Sequence, residues 1–430
     1  MRTHPLVIVD GVRTPFCKMG TDLAGVDAEE LGRIAVNALL SETGIDPGIV
    51  DEVIFGCVGQ PPHAPNLARV IALNAGLPNS VRAVTVQRNC ASGFEALTQA
   101  AEKLAAGSGE VFIVGGAESM SRAPFLFSDR ARKNWTQLFK QRSLGGRLSA
   151  MRRFRGNDFV PRPALKLALQ DPICGLAMGD TAEVLARDFK ITRDQQDHFA
   201  LQSHARALAA QEKLAEEIRP VFPGLGVKDL VERDNGVRTP DQLKKIGRLR
   251  PVFDTRTGSV TAGNASQITD GAVALLVVSE AVAEKYDLPV LGTLREWHYS
   301  GCEPERMGLG PVYAIHEVLR KTGIALSDID LVEVNEAFAV QLLAVAQALE
   351  SQAFARNHLG QDRAVGSLDT DRLNVNGGAI ALGHPVGATG ARLALTTLKE
   401  LHRRGQNRAL VSACIGGGQG AALYLERNPS

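Results

Sequence analysis

One stretch of this chain comes round twice. Ala38-Leu-Leu-Ser-Glu-Thr-Gly-Ile-Asp-Pro-Gly-Ile-Val-Asp-Glu-Val53 returns as Glu317-Val-Leu-Arg-Lys-Thr-Gly-Ile-Ala-Leu-Ser-Asp-Ile-Asp-Leu-Val332, with the Leu, Thr-Gly-Ile and apolar-Asp-x-Val positions in register. A looser echo sets Leu104–Val114 against His402–Ser412: a helical run, then Gly107 or Gly405, then an apolar strand. Two segments with the same order of elements restrict the fold to a pair of like units. An amphipathic run stopped by glycine and followed by a short apolar run reads as helix then strand. Each unit is therefore expected to be α/β, a largely parallel sheet covered by helices on both faces. At 430 residues the chain is too long for one ordinary core.

Taken in order, Leu6–Asp10 reads as a strand, Ala28–Leu40 as an amphipathic helix stopped by Gly44, and Val50–Gly56 as a strand. A helix over Asn66–Ala75 and strands over Val81–Val86 and Glu110–Gly115 follow. After Ser121 the character changes. Residues 130–155 carry nine Lys and Arg and no Asp or Glu, with Trp135, Leu138, Phe139, Leu148 and Met151 at roughly helical spacing. Such a stretch is usually a solvated helix face. The sharper readings are a surface for anionic lipid, a site for a phosphate-bearing ligand, or a docking face for a partner chain. We read 122–250 as an inserted, mainly helical domain. Alternation resumes with a strand over Ala272–Ser279, a helix over Gly310–Lys321, a strand over Leu331–Val334 and a helix to Leu349. A helix over Arg392–Leu401 and strands over Ala409–Ala413 and Ala421–Leu425 close the chain. The expected domains are 1–121 with 251–290, the insertion 122–250, and 291–430.

A net charge of +1 gives no whole-protein case for nucleic-acid binding. The six cysteines lack CxxC or CxxH spacing, which argues against a zinc site and against a disulfide framework. The N-terminus enters a strand-like run without a secretory pattern, and no apolar run approaches a membrane span. The cytoplasm is the expected compartment.

Four distant residues, Cys90, Asn335, His384 and Cys414, are read in strand-end loops, where α/β sheets place their ligands. Cys90 lies between an apolar strand and a helix whose Ala96, Leu97, Ala100, Ala101 and Leu104 keep helical spacing. The positive end of that helix is expected to favour thiolate, the nucleophilic form. His384, on a glycine-rich turn, is placed to take the thiol proton. Cys414 opens a run of glycines, which lets its sulfur approach substrate as an acid or base on carbon. Backbone N–H groups at Cys90 and in Gly416–Gly418 are candidates for an oxyanion hole. Taken singly, each has a bland reading: a core cysteine, a turn histidine, a helix-capping asparagine, glycines that permit positive φ. Together, and with the repeat, they point to covalent acyl transfer.

The chain resembles the thiolase family over nearly its whole length. The resemblance is carried by Asn89-Cys-Ala-Ser-Gly93, Gly115-Gly-Ala-Glu-Ser-Met-Ser-Arg-Ala-Pro124, Met178-Gly-Asp-Thr-Ala-Glu183, Asn264–Gly271, Met307-Gly-Leu-Gly-Pro311, Asn335–Ala339, Gly377–Gly390 and Cys414–Gly420. It implies a five-layered αβαβα fold of two like domains, with a loop domain inserted in the first. It implies that Cys90 is acylated by a 3-oxoacyl-CoA, that His384 activates it, and that Cys414 protonates the departing acetyl-CoA enolate. It assigns one oxyanion hole to His384 and a water held by Asn335, and the other to the N–H groups of Cys90 and Gly416. It places Ser266 and Arg238 against CoA, and Met178 and Phe338 along the acyl end. It implies no metal or organic cofactor, CoA being a substrate, and a homodimer or homotetramer. The basic insertion is similar to that of thiolase subunits of trifunctional complexes in fatty-acid β-oxidation, which work with a hydratase/dehydrogenase subunit. Those usually carry His where this chain has Asn335. The readings kept open beside 3-oxoacyl-CoA cleavage are acetoacetyl-CoA formation, a decarboxylating condensing enzyme, and a membrane-docking or scaffold subunit.

Overall fold

The structure, a computed structural model, describes residues 5–224 and 230–427. Its principal strands are β1 (Leu6–Arg13), β2 (Glu52–Gly56), β3 (Arg82–Val86), β4 (Val111–Glu118), β5 (Thr269–Ser279), β6 (Gly292–Gly301), β7 (Leu331–Val334), β8 (Arg408–Ile415) and β9 (Gln419–Glu426). Its principal helices are α1 (Ala28–Thr43), α2 (Leu67–Asn74), α3 (Ser92–Ala105), α4 (Asp129–Lys140), α5 (Leu144–Met151), α6 (Met178–Asp188), α7 (Arg193–Ala209), α8 (Gly310–Thr322), α9 (Ala339–Glu350) and α10 (Val386–Arg404).

The repeated stretches fold alike, and the shared residues explain why. Helices α1 and α8 end at Gly44 and Gly323, with left-handed φ of 62° and 70°. That conformation suits glycine, which has no Cβ to strain. A short 3₁₀ turn follows in each, then β2 or β7. The repeated aspartates do the same work. Asp51 accepts from the N–H groups of Glu110 and Val111, and Asp330 from those of Asn407 and Arg408. Each thereby joins the start of one strand to the start of its neighbour.

The strands run in the order β7-β8-β9-β6-β1-β5-β4-β2-β3, with the two-residue strand Cys17–Lys18 beside β5. The halves β1-β5-β4-β2 and β6-β9-β8-β7 share both order and sense: antiparallel, antiparallel, parallel. The sheet is thus mixed, against the expectation of a largely parallel one. After the insertion the chain re-enters as β5 between β1 and β4 and opposes both. In the second half, β9 returns from β8 through a tight turn at Gly416–Gly418. The counterpart of β3 is reduced to a single bridge between Val332 and Leu373. The two halves meet edge to edge where β1 pairs antiparallel with β6, Leu6 opposite Leu294.

Three apolar cores separate five layers. Leu31, Val36, Leu39 and Ile71 of α1 and α2 cover Val7, Val53 and Ile113 on one outer face. Val312, Ile315 and Val345 of α8 and α9 cover Val332 and Leu410 on the other. Between the two half-sheets lie α3 and α10, whose Phe94, Leu97, Leu393 and Leu398 pack with Ile8, Val114, Val411 and Leu423. Helix α10 touches both half-sheets and is buried nearly all round, as a central helix must be. The central pair crosses at glycine. A Cβ on Gly93 would stand 2.6 Å from the Ala391 nitrogen, and one on Gly390 2.4 Å from the Phe94 nitrogen.

Some boundaries differ from the sequence reading. The glycines after Val114 stay in β4, because neighbouring backbone lies against them: a Cβ on Gly115 would meet the Val273 carbonyl at 2.0 Å. Cys414 is likewise within β8, opposite Gly420, and not in a loop. The half-buried strand β6 had no sequence signal as clear as its neighbours'. In the insertion, α4–α7 are helical, but 216–224 and 230–239 are mostly irregular, with Pro220, Pro223 and Gly236 among them. Helices α4 and α5 form a hairpin joined by Trp135, which packs edge-on against Phe154 at 5.0 Å. No helix among the described residues is long and apolar enough to cross a membrane.

Candidate active site

Cys90 stands in the turn between β3 and α3. Asn89 takes a left-handed φ of 44° and donates through Nδ2 to the Gly416 carbonyl at 2.8 Å. Ser92 Oγ accepts from Arg88 N–H at 2.9 Å and donates to the Asn89 carbonyl at 2.7 Å, closing the turn. The helix proper starts at Ser92, so Cys90 precedes it by two residues. Cys90 lines a cavity of about 680 Å³ with Val58, Met120, Leu165, Leu169, Met178 and Gly416. Burial pushes its thiol up, while the N–H groups of Gly416 and of Cys90 itself pull it back down. This corrects the expectation that the helix terminus alone would favour thiolate. Desolvation outweighs it, so the thiol needs a base.

His384 is the candidate. It is buried, and its Nδ1 lies 2.7 Å from Thr389 Oγ1. The Thr389 hydroxyl donates to the Pro385 carbonyl at 3.0 Å, so it accepts from Nδ1–H. That fixes the tautomer and leaves the Nε2 lone pair available; Nε2 makes no hydrogen bond among the described residues. Burial, with a smaller push from the Arg392 charge, lowers the imidazole to about 4. It is therefore neutral and proton-accepting near pH 7.

Cys414 is buried in β8, and burial raises its thiol well above the usual range, with the nearby Cys90 and Cys302 sulfurs adding to the rise. Asn335, at the end of β7, is fully buried and anchored by its N–H to the Ser412 carbonyl at 2.8 Å. Neither atom of its side-chain amide is hydrogen-bonded among the described residues. Buried amides are normally partnered, so this one is available to a ligand or to solvent.

The remaining expected residues divide. Met178 lies beside Cys90, and a Cβ on Gly416 would sit 3.2 Å from its sulfur. Phe338 does not line that cavity; it packs edge-on against Phe253 at 6.3 Å, bridged to Ala265. Ser266 is its neighbour, donating its N–H to Ala337 O at 2.9 Å. Arg238 turns inward. Its guanidinium donates to the carbonyls of Ala262 at 2.6 Å and Gly263 at 3.3 Å, bracing the loop that leads to Ser266.

Two carboxylates escaped the sequence reading. Glu336 accepts from Ser203 Oγ at 2.6 Å, Asn374 Nδ2 at 2.9 Å and Ile380 N–H at 3.2 Å, bracing the glycine-rich loop that leads to His384. Glu118, at the end of β4, accepts three backbone N–H groups. Their signal was an acid embedded in an apolar, glycine-rich run, where a solvated charge is out of place.

A doubled α/β fold with a cysteine, a base and a second cysteine between its halves defines an acyl-transfer enzyme that works through a thioester. Residues 6–281 match the family model of the thiolase N-terminal domain, and residues 288–427 that of the thiolase C-terminal domain. The chain belongs to the thiolase family. It is 42% identical to the 3-ketoacyl-CoA thiolase of Pectobacterium atrosepticum, covering 100% of this chain and 98% of that one. It is 41% identical to that of Colwellia psychrerythraea, covering 98% and 97%. Among solved structures it is similar to human mitochondrial 3-ketoacyl-CoA thiolase, with a TM-score of 0.86 and 36% identity over 100% of both chains. It is also similar to the Bacillus anthracis acetyl-CoA acetyltransferase, with a TM-score of 0.85 and 36% identity over 99% of both.

Proposed function

We propose that this chain is a 3-oxoacyl-CoA thiolase, transferring an acyl group to CoA through Cys90. The observation that carries the reading is a half-buried thiol on the cavity wall, raised by desolvation, in a fold that also holds a buried, neutral histidine whose Nε2 is unengaged. In the proposed course, His384 Nε2 takes the Cys90 proton and the sulfur attacks the 3-oxo carbon. The N–H groups of Cys90 and Gly416 bind one developing oxyanion, and the available Asn335 amide serves the other, each donor being worth about 3–4 kcal/mol. The Cα–Cβ bond breaks, and Cys414 gives its proton to the acetyl-CoA enolate. CoA then enters, Cys414 takes the proton of its thiol, and the acyl group leaves Cys90 as a shortened acyl-CoA. A raised thiol suits Cys414 to this part, since an acid must hold its proton until the carbanion forms.

The relatives named 3-ketoacyl-CoA thiolase support cleavage of 3-oxoacyl chains. So does the cavity, whose apolar walls reach beyond Cys90 along Leu165, Ala168 and Leu169, more room than an acetyl group fills. The acetoacetyl-CoA-forming reading is favoured by the acetyltransferase neighbour alone. Thiolysis of acetoacetyl-CoA and 3-oxohexadecanoyl-CoA by the native protein and Cys90→Ala decides. Turnover of the longer substrate, lost in the variant, is expected; equal turnover by both proteins ends the reading.

A second reading concerns the surface. The α4–α5 hairpin exposes Phe139 (78%) and Leu144 (80%) beside Leu148 and Met151, among Lys140, Arg142, Arg152 and Arg153. Apolar side chains rimmed by cations fit an anionic lipid surface.

A further inference from the structure

The two halves are fitted most closely at the first turn of α10. The Gly387 carbonyl lies where three residues of the first half have no side chain. A Cβ on Gly56, Gly93 or Gly116 would stand 2.7, 3.2 or 1.9 Å from it. On the same residue, the Gly387 N–H donates to Glu118 Oε2 at 2.8 Å. That oxygen also accepts from Val58 N–H at 3.1 Å, and Oε1 accepts from Gly59 N–H at 2.7 Å. Glu118 is fully buried. Burial raises its carboxyl, the three N–H groups pull it back down, and a charged acceptor on amide donors makes the stronger hydrogen bonds. One side chain therefore ties together two things. Val58 and Gly59 wall the cavity beside Cys90, and Gly387 opens the helix that follows His384.

Packing alone does not call for this arrangement. Laying Leu104–Val114 onto His402–Ser412 sets Gly390 opposite Ser92, where α3 begins. Residues Val386–Thr389 are thus helical with no helical counterpart in the first half. The extra turn projects past the glycine crossing, carries Thr389, which orients the His384 ring, and ends in the seat made by Glu118 and the three glycines.

We propose that Glu118 is a positioning residue for acyl transfer: it fixes the first turn of α10, and with it His384, where proton transfer from Cys90 requires it. This rests on the acid–base reading of Cys90 and His384 given above. A misplacement of about 1 Å costs a reaction roughly 100-fold.

The test compares the native protein, Glu118→Gln, and Val36→Ala, a core change in α1 that serves as a stability control. The readouts are kcat and KM in thiolysis of 3-oxohexadecanoyl-CoA, and the rate of Cys90 alkylation by iodoacetamide. In Glu118→Gln, kcat and alkylation are expected to fall together by about 10- to 100-fold, with KM for CoA within about twofold. Val36→Ala, melting earlier, keeps both rates. A Glu118→Gln protein that melts earlier yet keeps native kcat and alkylation overturns the proposal. Should that variant not accumulate folded, Gly59→Ala takes its place, since its Cβ would stand 2.9 Å from Glu118 Oε1 and push the carboxylate aside. The same two readouts then decide. His384→Asn separates the levels. If it is inactive beside a fully active Glu118→Gln, the positioning role alone falls; if it is active, the acid–base reading falls and takes the positioning role with it.

Discussion

His384 is held neutral by its surroundings, and this has a cost away from catalysis. Its imidazole titrates at about 4 in the folded protein, with burial the main cause, against roughly 6.5 in an unfolded chain. Between those values the unfolded chain binds the proton and the folded one does not. The stability from keeping the ring neutral is therefore complete above about pH 6.5 and is lost as pH falls toward 4. At pH 5 the loss is about 2 kcal/mol. His204, buried within α7 and accepting the Arg238 N–H at Nδ1, is lowered to about 4 as well, mainly by burial, and adds a loss of the same sign. Replacing His384 by Asn should narrow the fall in urea midpoint between pH 7 and pH 5. An equal fall in native and variant proteins would contradict the burial argument. Cys90, His384, Cys414 and Asn335 stood out in the sequence because each sits in a distinctive short motif. Their ionisation was not. The helix-terminus argument for Cys90 considers a local field, whereas desolvation depends on what the rest of the chain lays over the sulfur.

At the scale of elements, the glycine crossing of α3 and α10 controls how closely the central layer packs. Alanine at Gly390 raises helix propensity by about 1 kcal/mol. Its Cβ, however, meets backbone at 2.4 Å, and backbone in a buried helix cannot swing aside. Overpacking of this kind costs about 1–3 kcal/mol and should win. Gly390→Ala is expected to lower the urea midpoint, and an unchanged or raised midpoint would count against the crossing. The sequence showed most helices through their amphipathic spacing, and it placed α10 six residues late. The missing residues are mostly small, Val386-Gly-Ala-Thr-Gly-Ala391, and form no large apolar stripe. They are helical because two half-sheets and α3 surround them, which no local pattern encodes. Arg238, read as a CoA contact, braces the loop leading to Ser266; its partners there are carbonyls, which carry no sequence signature.

At the scale of the whole molecule, the basic hairpin is a large surface feature that the central chemistry does not use. Co-sedimentation with phosphatidylglycerol vesicles is expected to retain the native protein, to fall with added salt, and to weaken when Arg152, Arg153 and Arg155 are neutralised. Phosphatidylcholine vesicles should retain neither protein, and equal retention of both on phosphatidylglycerol would remove the lipid role. The doubling of the chain was legible from Thr-Gly-Ile and its following aspartate alone. The joining of the halves through β1 and β6 was not, because edge pairing leaves no mark on composition. The contact at the centre has a further consequence. Gly93 rests on Gly390 and Ala391, and Gly390 rests on Gly93 and Phe94, so each half offers the other the patch that it receives. That reciprocity is the mark of an isologous subunit interface. The interior of this single chain is built like the meeting of two protomers, with the connection between Ser279 and Gly292 serving as a tether that makes their association permanent.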